Sequence, residues 1–149
     1  MTETTNQIVI AAEPAAIYRL ASDTAQWPAI LPHYRFVRVL ERRGDTQLVE
    51  MAAWRDFIPI RWVAEQTNDA ERPNIRFRHV RGWTRGMDVE WRFEPGPGGT
   101  TVTIEHRLQF QFPVASEWLG EHVVGDFFVH DVANKTLARI KQLAESAAQ

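Results

Sequence analysis

Five histidines, six tryptophans and eight phenylalanines stand out in a chain of 149 residues. Two of the histidines occupy alternating positions among apolar side chains. His79 follows Ile75 and Phe77 at steps of two, and His106 lies between Ile104 and Leu108. An imidazole in such a place either holds a hydrogen bond in a core or takes and returns a proton near neutral pH. Tyr34 follows Pro32-His33 and opens a strand, where its phenol can meet a ligand carbonyl or a core acceptor. Trp62 and Trp91 fall at inward-looking positions and are either core filler or shelves for a flat ring, as is Trp27. His122, Asp126 and His130 recur every four residues along one side of a helical stretch. Imidazole and carboxylate ligate zinc. The first and third are about 12 Å apart on a helix, too far for one ion to take all three; His122 with Asp126 or Asp126 with His130 could pair, but no metal site is assigned, and the row that ends at His130 reads as a solvated helix face or as one that looks into a cavity mouth. The arginines at 76, 78, 81, 85 and 92 read as the solvated faces of strands, with Arg81 and Arg85 near strand ends where an acidic ligand group can be met.

These residues are set by a simple order of elements. Gln7–Ala11 reads as a first strand. Pro14 follows at an early helical position, where its missing N–H costs nothing. Asp23-Thr24 reads as the cap of a second short helix that closes through Trp27-Pro28 and Leu31-Pro32. From Tyr34 the period of the apolar residues becomes two. Strands are expected from Tyr34 to about Gly44, from Gln47 to Arg55, from Ile60 to Gln66, from Ile75 to Val80, through Met87, Val89, Trp91 and Phe93, and from Val102 to Phe110. Phe57-Ile58-Pro59, Asn68-Asp69 and Pro95-Gly96-Pro97-Gly98-Gly99 read as turns. Pro113 ends the last strand. From about Ser116 to Ala147 no proline intervenes, and a helix of roughly 45 Å is expected, with Leu119, Val123, Phe127, Ala133, Leu137, Ile140 and Ala144 as its inward stripe.

The pattern predicts an α+β fold of one domain spanning 1–149: a curved antiparallel sheet of about seven strands around a long C-terminal helix, with two short helices after the first strand. Consecutive strands without crossover helices exclude a Rossmann sheet. A bent sheet on one helix leaves room between them, the natural place for an apolar ligand. Phe110, from the last strand, and Phe127, from the helix, face that room.

Composition excludes several classes of function. The formal charge is -2, without the basic face that nucleic acid demands. There are no cysteines, so disulfides and thiolate metal sites are out, and the chain suits a reducing cytoplasm. No apolar run reaches the ~20 residues of a membrane span, and Met1–Gln7 is polar and reads as a short lead-in. There is no nucleophile elbow, no phosphate-binding glycine loop and no evident carboxylate pair.

The residues Ile8-Val9-Ile10 before Glu13-Pro14, then Asp23 through Trp27-Pro28, Tyr34, Trp62, Arg78-His79-Val80-Arg81-Gly82, Thr84-Arg85-Gly86-Met87, Glu90-Trp91 and Leu137-Ala138-Arg139-Ile140-Lys141 carry a resemblance over nearly the whole chain. The chain resembles the START/Bet v 1-like helix-grip superfamily, and within it bacterial polyketide cyclase/aromatases. The resemblance implies a cavity that folds a linear poly-β-ketone, promotes aldol closure and assists dehydration without metal or nucleotide cofactor. It implies a carrier-protein partner, which Arg81 and Arg85 are placed to meet. It implies that Tyr34 and the tryptophans Trp27, Trp62 and Trp91 belong to the pocket. Two family arginines are replaced, one by Gln66 and the other by His79. Tyr34, His79 and Gln66 are thus the candidate catalytic groups, and Trp27, Trp62, Arg81, Trp91, His106, Phe110, Phe127 and His130 the candidate ligand-binding ones. The competing reading is a non-catalytic carrier of a hydrophobic quinone, lipid or pigment precursor. Two or more hydrogen-bonding groups converging on one point would favour the enzyme; a greasy tunnel would favour the carrier.

Overall fold

The computed structural model describes residues 2–55, 57–82, 84–108 and 132–148. In chain order they form β1 (Thr2–Ile10), α1 (Pro14–Ser22), a 3-10 turn (Thr24–Gln26), α2 (Trp27–Ile30), β2 (Tyr34–Arg43), β3 (Thr46–Arg55), β4 (Ile58–Asp69), β5 (Asn74–Arg81), β6 (Asp88–Gly96), β7 (Gly99–Leu108) and α3 (Asn134–Ala147). The strands make one seven-stranded sheet in the order β1-β7-β6-β5-β4-β3-β2. Every pairing is antiparallel. Strands β2 to β7 form a meander, and β1 adds to its far side on β7.

The edges of the sheet are therefore β1 and β2, and α3 is tied to both sides. Towards β1, Lys141 donates to the Val9 carbonyl at 3.0 Å and the Glu145 carboxylate accepts from the Ala11 N–H at 2.8 Å. Towards β2, Arg139 donates to the Ile30 carbonyl at 3.1 Å, and Thr136 bonds the His33 ring at 2.9 Å. The expected inward stripe holds where it is described: Ala133, Leu137, Ile140 and Ala144 are buried. Its earlier members Leu119, Val123 and Phe127, with the first half of the expected helix, lie outside the described residues.

Several local expectations differ, and Asn68-Asp69 is not a turn: both residues extend β4, opposite Ile75 and Asn74. The first strand begins at Thr2 rather than Gln7, because β7 offers a full-length partner edge, with Thr2 opposite Leu108. Ile58 and Pro59 belong to β4 rather than to a turn, opposite Arg55 and Trp54. Proline is tolerated there because β5 joins β4 only from Val63 onward, so the missing N–H removes no ladder bond. Asp23 makes no side-chain cap; the Thr24 hydroxyl donates instead to the Gln66 carbonyl oxygen at 2.7 Å. The glycine turn between β6 and β7 behaves as expected. Gly99 has φ +130, and a Cβ there would fall 2.1 Å from the Ile10 carbonyl oxygen, so only glycine lets this turn pass under the end of β1.

Candidate functional site

Side chains of a strand alternate between its faces, so an antiparallel register decides which inward residues become neighbours. Here it sets Met51 opposite Trp62, Phe77 opposite Val89, Val89 opposite His106, and Trp91 opposite Ile104. These residues share the inner face with His79. Trp27 of α2, Tyr34 of β2, and Val132, Ala133 and Thr136 at the start of α3 line one cavity with them. Its free volume is about 40 Å³, room for a few water molecules.

The wall is an array of rings in contact. Trp27 sits 6.0 Å from Trp91 and 5.1 Å from Tyr34, centroid to centroid. Tyr34 presents an edge to Trp62 at 6.2 Å. Trp62 stacks on the His79 imidazole at 5.7 Å with 6° between the planes. The Trp27 indole N–H is used structurally, donating to the Leu20 carbonyl at 3.2 Å.

Three polar side chains from different strands enter this box. The His79 Nδ1 is 2.7 Å from the Thr84 hydroxyl. Thr84 is held inside by the loop after β5, in which Met87 N donates to the Thr84 carbonyl and Gly86 N to the His79 carbonyl, each at 2.9 Å. Burial, and after it the neighbouring His106, pushes the His79 imidazole down to about 3. Burial brings His106 to about 4. Both rings are therefore neutral at pH 7. Burial raises the Tyr34 phenol above its ordinary value, so it stays a donor. Tyr34 lines the cavity. Among the described residues no group of three or more His, Cys, Asp or Glu side chains is arranged to hold a metal ion.

Six of the residues singled out by sequence meet at this cavity: Trp27, Tyr34, Trp62, His79, Trp91 and His106. Two do not. Gln66 points inward but away from the cavity, beneath the short helices. Its Nε2 donates to the Ser22 carbonyl at 2.8 Å and to Asn68 Oδ1 at 2.9 Å, and its Oε1 accepts from Thr24 at 2.7 Å and Gln47 at 3.0 Å. An amide with both donors and both lone pairs engaged is a structural clasp. Arg81 is exposed at the end of β5, on the outer side of the sheet. Phe110, Phe127 and His130 lie outside the described residues, as do His122, Asp126 and Trp83. Arg85 is exposed on the loop after β5. Sequence reasoning passed over Thr84 and Thr136. Neither belongs to a strand's alternation, and the glycines at 82 and 86 around Thr84 were the only sign of a tightly folded loop.

The family described as polyketide cyclase/dehydrase and lipid transport matches residues 10–136. The chain belongs to this family. It is 32% identical over 104 residues to the granaticin polyketide synthase bifunctional cyclase/dehydratase of Streptomyces violaceoruber, a match of 68% of this chain but only 32% of that protein. The chain thus spans about a third of that relative's length. It is 30% identical over 102 residues to a putative polyketide cyclase of Streptomyces halstedii, covering 66% of this chain and 94% of that one. In fold it is similar to the Zhui aromatase/cyclase of Streptomyces sp. R1128, with a TM-score of 0.83 at 17% identity over 99% of this chain and 96% of that one. A START superfamily protein of Mycobacterium smegmatis superposes with a TM-score of 0.74 at 18% identity, over 95% and 98% of the two chains. No described helix is long and apolar enough to cross a membrane.

Proposed function

We propose that the family member described here admits a poly-β-ketone into the cavity between sheet and helix and promotes its aldol cyclisation and dehydration. What carries this reading is the convergence of the Tyr34 hydroxyl with the neutral imidazoles of His79 and His106 inside one aromatic-walled space. A tunnel built only to carry hydrophobic cargo has no need of such convergence.

The chemistry follows from the groups present. A neutral imidazole removes the acidic proton between two carbonyls. The resulting carbanion attacks a second carbonyl carbon, forming the carbon–carbon bond. The Tyr34 O–H hydrogen-bonds the oxygen on which negative charge develops, where a preorganised donor in a water-poor site counts most. That oxygen then takes its proton from the imidazolium, which restores the neutral ring. In the dehydration a second α-proton goes to imidazole, and the hydroxyl leaves as water with a proton returned by imidazolium. His79 and His106 divide these transfers between them. The stacked rings of Trp62, Trp91 and Trp27 hold the chain flat, so that the reacting carbons meet.

A guest of this size exceeds the free volume of about 40 Å³, so its binding goes with an enlargement of the cavity. Delivery by an acyl carrier protein, in the cytoplasm, is part of the same proposal. The test is product analysis with a carrier-bound poly-β-ketone. His79→Ala and Tyr34→Phe are expected to lower the yield of aromatised ring at least tenfold while leaving ligand affinity within a few fold. An unchanged product distribution in both variants rejects the catalytic assignment and leaves a binding protein.

A further inference from the structure

The chemistry proposed above gives Thr84 no part, yet the loop that carries it is built to place it. Gly82 leaves β5 at φ +106 and passes so close to β4 that a Cβ there would fall 3.1 Å from the Arg61 carbonyl oxygen and 3.2 Å from Trp62 Cβ. His79 N donates to the Met87 carbonyl, and Gly86 N to the His79 carbonyl, each at 2.9 Å, so the loop folds back on the residue it follows. His79 and Thr84 are buried together, at 3% and 4% exposure. The imidazole is thereby fixed twice. One face lies parallel to the Trp62 indole, 5.7 Å away, and its Nδ1 is 2.7 Å from the Thr84 hydroxyl. His79 lines the cavity. With Nδ1 taken up by the loop, Nε2 is the nitrogen through which the ring addresses a guest.

The direction of the Thr84–His79 hydrogen bond sets the tautomer, because in a neutral imidazole one nitrogen donates and the other accepts. Burial, and after it His106, keeps His79 neutral at pH 7. Two arguments make Thr84 the donor. The 2.7 Å separation is that of an O–H donor, whereas N–H donors rest at about 2.9–3.0 Å. A buried hydroxyl also has a proton of its own to place. Donation to Nδ1 pairs that proton, and acceptance from an Nδ1–H leaves it to be paired elsewhere, which is costly for a buried group. With Nδ1 accepting, the ring proton sits on Nε2.

We propose that Thr84 is a positioning residue: its hydroxyl donates to Nδ1, which fixes the ring proton on Nε2 and makes His79 a hydrogen-bond donor to a guest carbonyl oxygen. The inference rests on the catalytic reading of the cavity and deepens it by telling the two imidazoles apart. Of the transfers divided between them, those at carbon fall to His106, and His79 stands with Tyr34 at the oxygen on which charge develops. A neutral imidazole suits that place. An N–H already aimed at a developing oxyanion, in a water-poor site, needs no reorganisation during the reaction. Valine in place of Thr84 keeps the shape and removes the hydroxyl, so it leaves the tautomer unset.

The experiment is nitrogen NMR at pH 7 on the full chain labelled with 15N-histidine, with no guest present. Proton-bearing and bare ring nitrogens resonate far apart, and the His79 signals are those missing from His79→Gln. The wild-type chain should show Nε2 proton-bearing and Nδ1 bare. In Thr84→Val the two signals should move towards each other as the tautomers mix, and Thr84→Ser should restore the wild-type pattern. A proton on Nδ1 in the wild-type chain, or unmoved signals in a folded Thr84→Val, overturns the proposal and leaves the catalytic reading standing. Turnover of a carrier-bound poly-β-ketone supplies the second readout. His79→Gln offers an amide N–H but no base, so it should form ring about fivefold faster than His79→Ala, and Thr84→Val should lose about fivefold in kcat with KM little changed. Equal loss in His79→Gln and His79→Ala overturns the donor role. Absence of ring formation by the wild-type chain rejects the catalytic reading and, with it, the place of His79 at the oxygen.

Discussion

Among the described residues three imidazoles are buried, and their protonation couples to the stability of the fold. Burial, and then Lys135, lowers His33 to about 4 from an ordinary 6.5. His106 is lowered to about 4 by burial, and His79 to about 3. The unfolded chain therefore binds protons at a higher pH than the folded one. Above about pH 6.5 neither state carries them and the full stability is present. Between 6.5 and the folded values, acidification favours unfolding, by at most about 1.4 kcal/mol per pH unit for each histidine. The melting temperature is expected to fall steadily from pH 6.5 to pH 4 in circular dichroism, and His106→Gln should make that slope shallower. Gln66 invites the other prediction at this scale. Gln66→Leu strips partners from Thr24, Gln47, the Ser22 carbonyl and Asn68. A loss of about 3 kcal/mol in a urea titration is expected, whereas a cavity residue of the same size would chiefly alter ligand binding. Its exact alternation with Trp62 and Ala64 made Gln66 legible as inward-facing. The short helices above it, which use its amide, are long-range partners that no spacing along β4 reveals.

At the scale of elements, the meander was readable because each strand carries its own period-two pattern and each turn its own signal. The Pro95–Gly99 turn is the best case. Gly99→Ala would drive a methyl into the Ile10 carbonyl and place alanine at φ +130. The β1–β7 edge should loosen, with a fall in melting temperature of at least 10 °C or loss of soluble protein, read by thermal melting. The Phe57-Ile58-Pro59 segment misled because proline is a turn signal in isolation. Whether its missing N–H matters depends on where the next strand begins to pair, which is a property of the sheet. For the same reason the outward placement of Arg81 is set by how β5 pairs with β4, where the register shifts between Val63 and Ala64.

For the whole molecule the decisive feature is a small ring-lined hollow: α3 bonds to groups beside both sheet edges, and aromatic rings line the cavity between sheet and helix. Trp27, Trp62 and Trp91 all border the cavity, so any planar guest that enters must touch indole. Saturating 2-naphthoate is expected to quench tryptophan emission by a third or more. Binding established by calorimetry without any change in emission would remove these tryptophans from the site.

The sequence by itself determined the strands, their inward faces, the order of elements and the aromatic character of the interior, because these follow from local periodicity and turn chemistry. It also brought Tyr34, His79 and His106 forward as polar residues at strand positions that face a core. Tertiary structure alone decided which inward groups meet and how much space is left among them. Gln66 and His79 are both inward and come from adjacent strands, yet one is clasped under a helix and the other borders the cavity. That difference arises from what packs above each pleat, a matter of contacts between segments far apart in the chain.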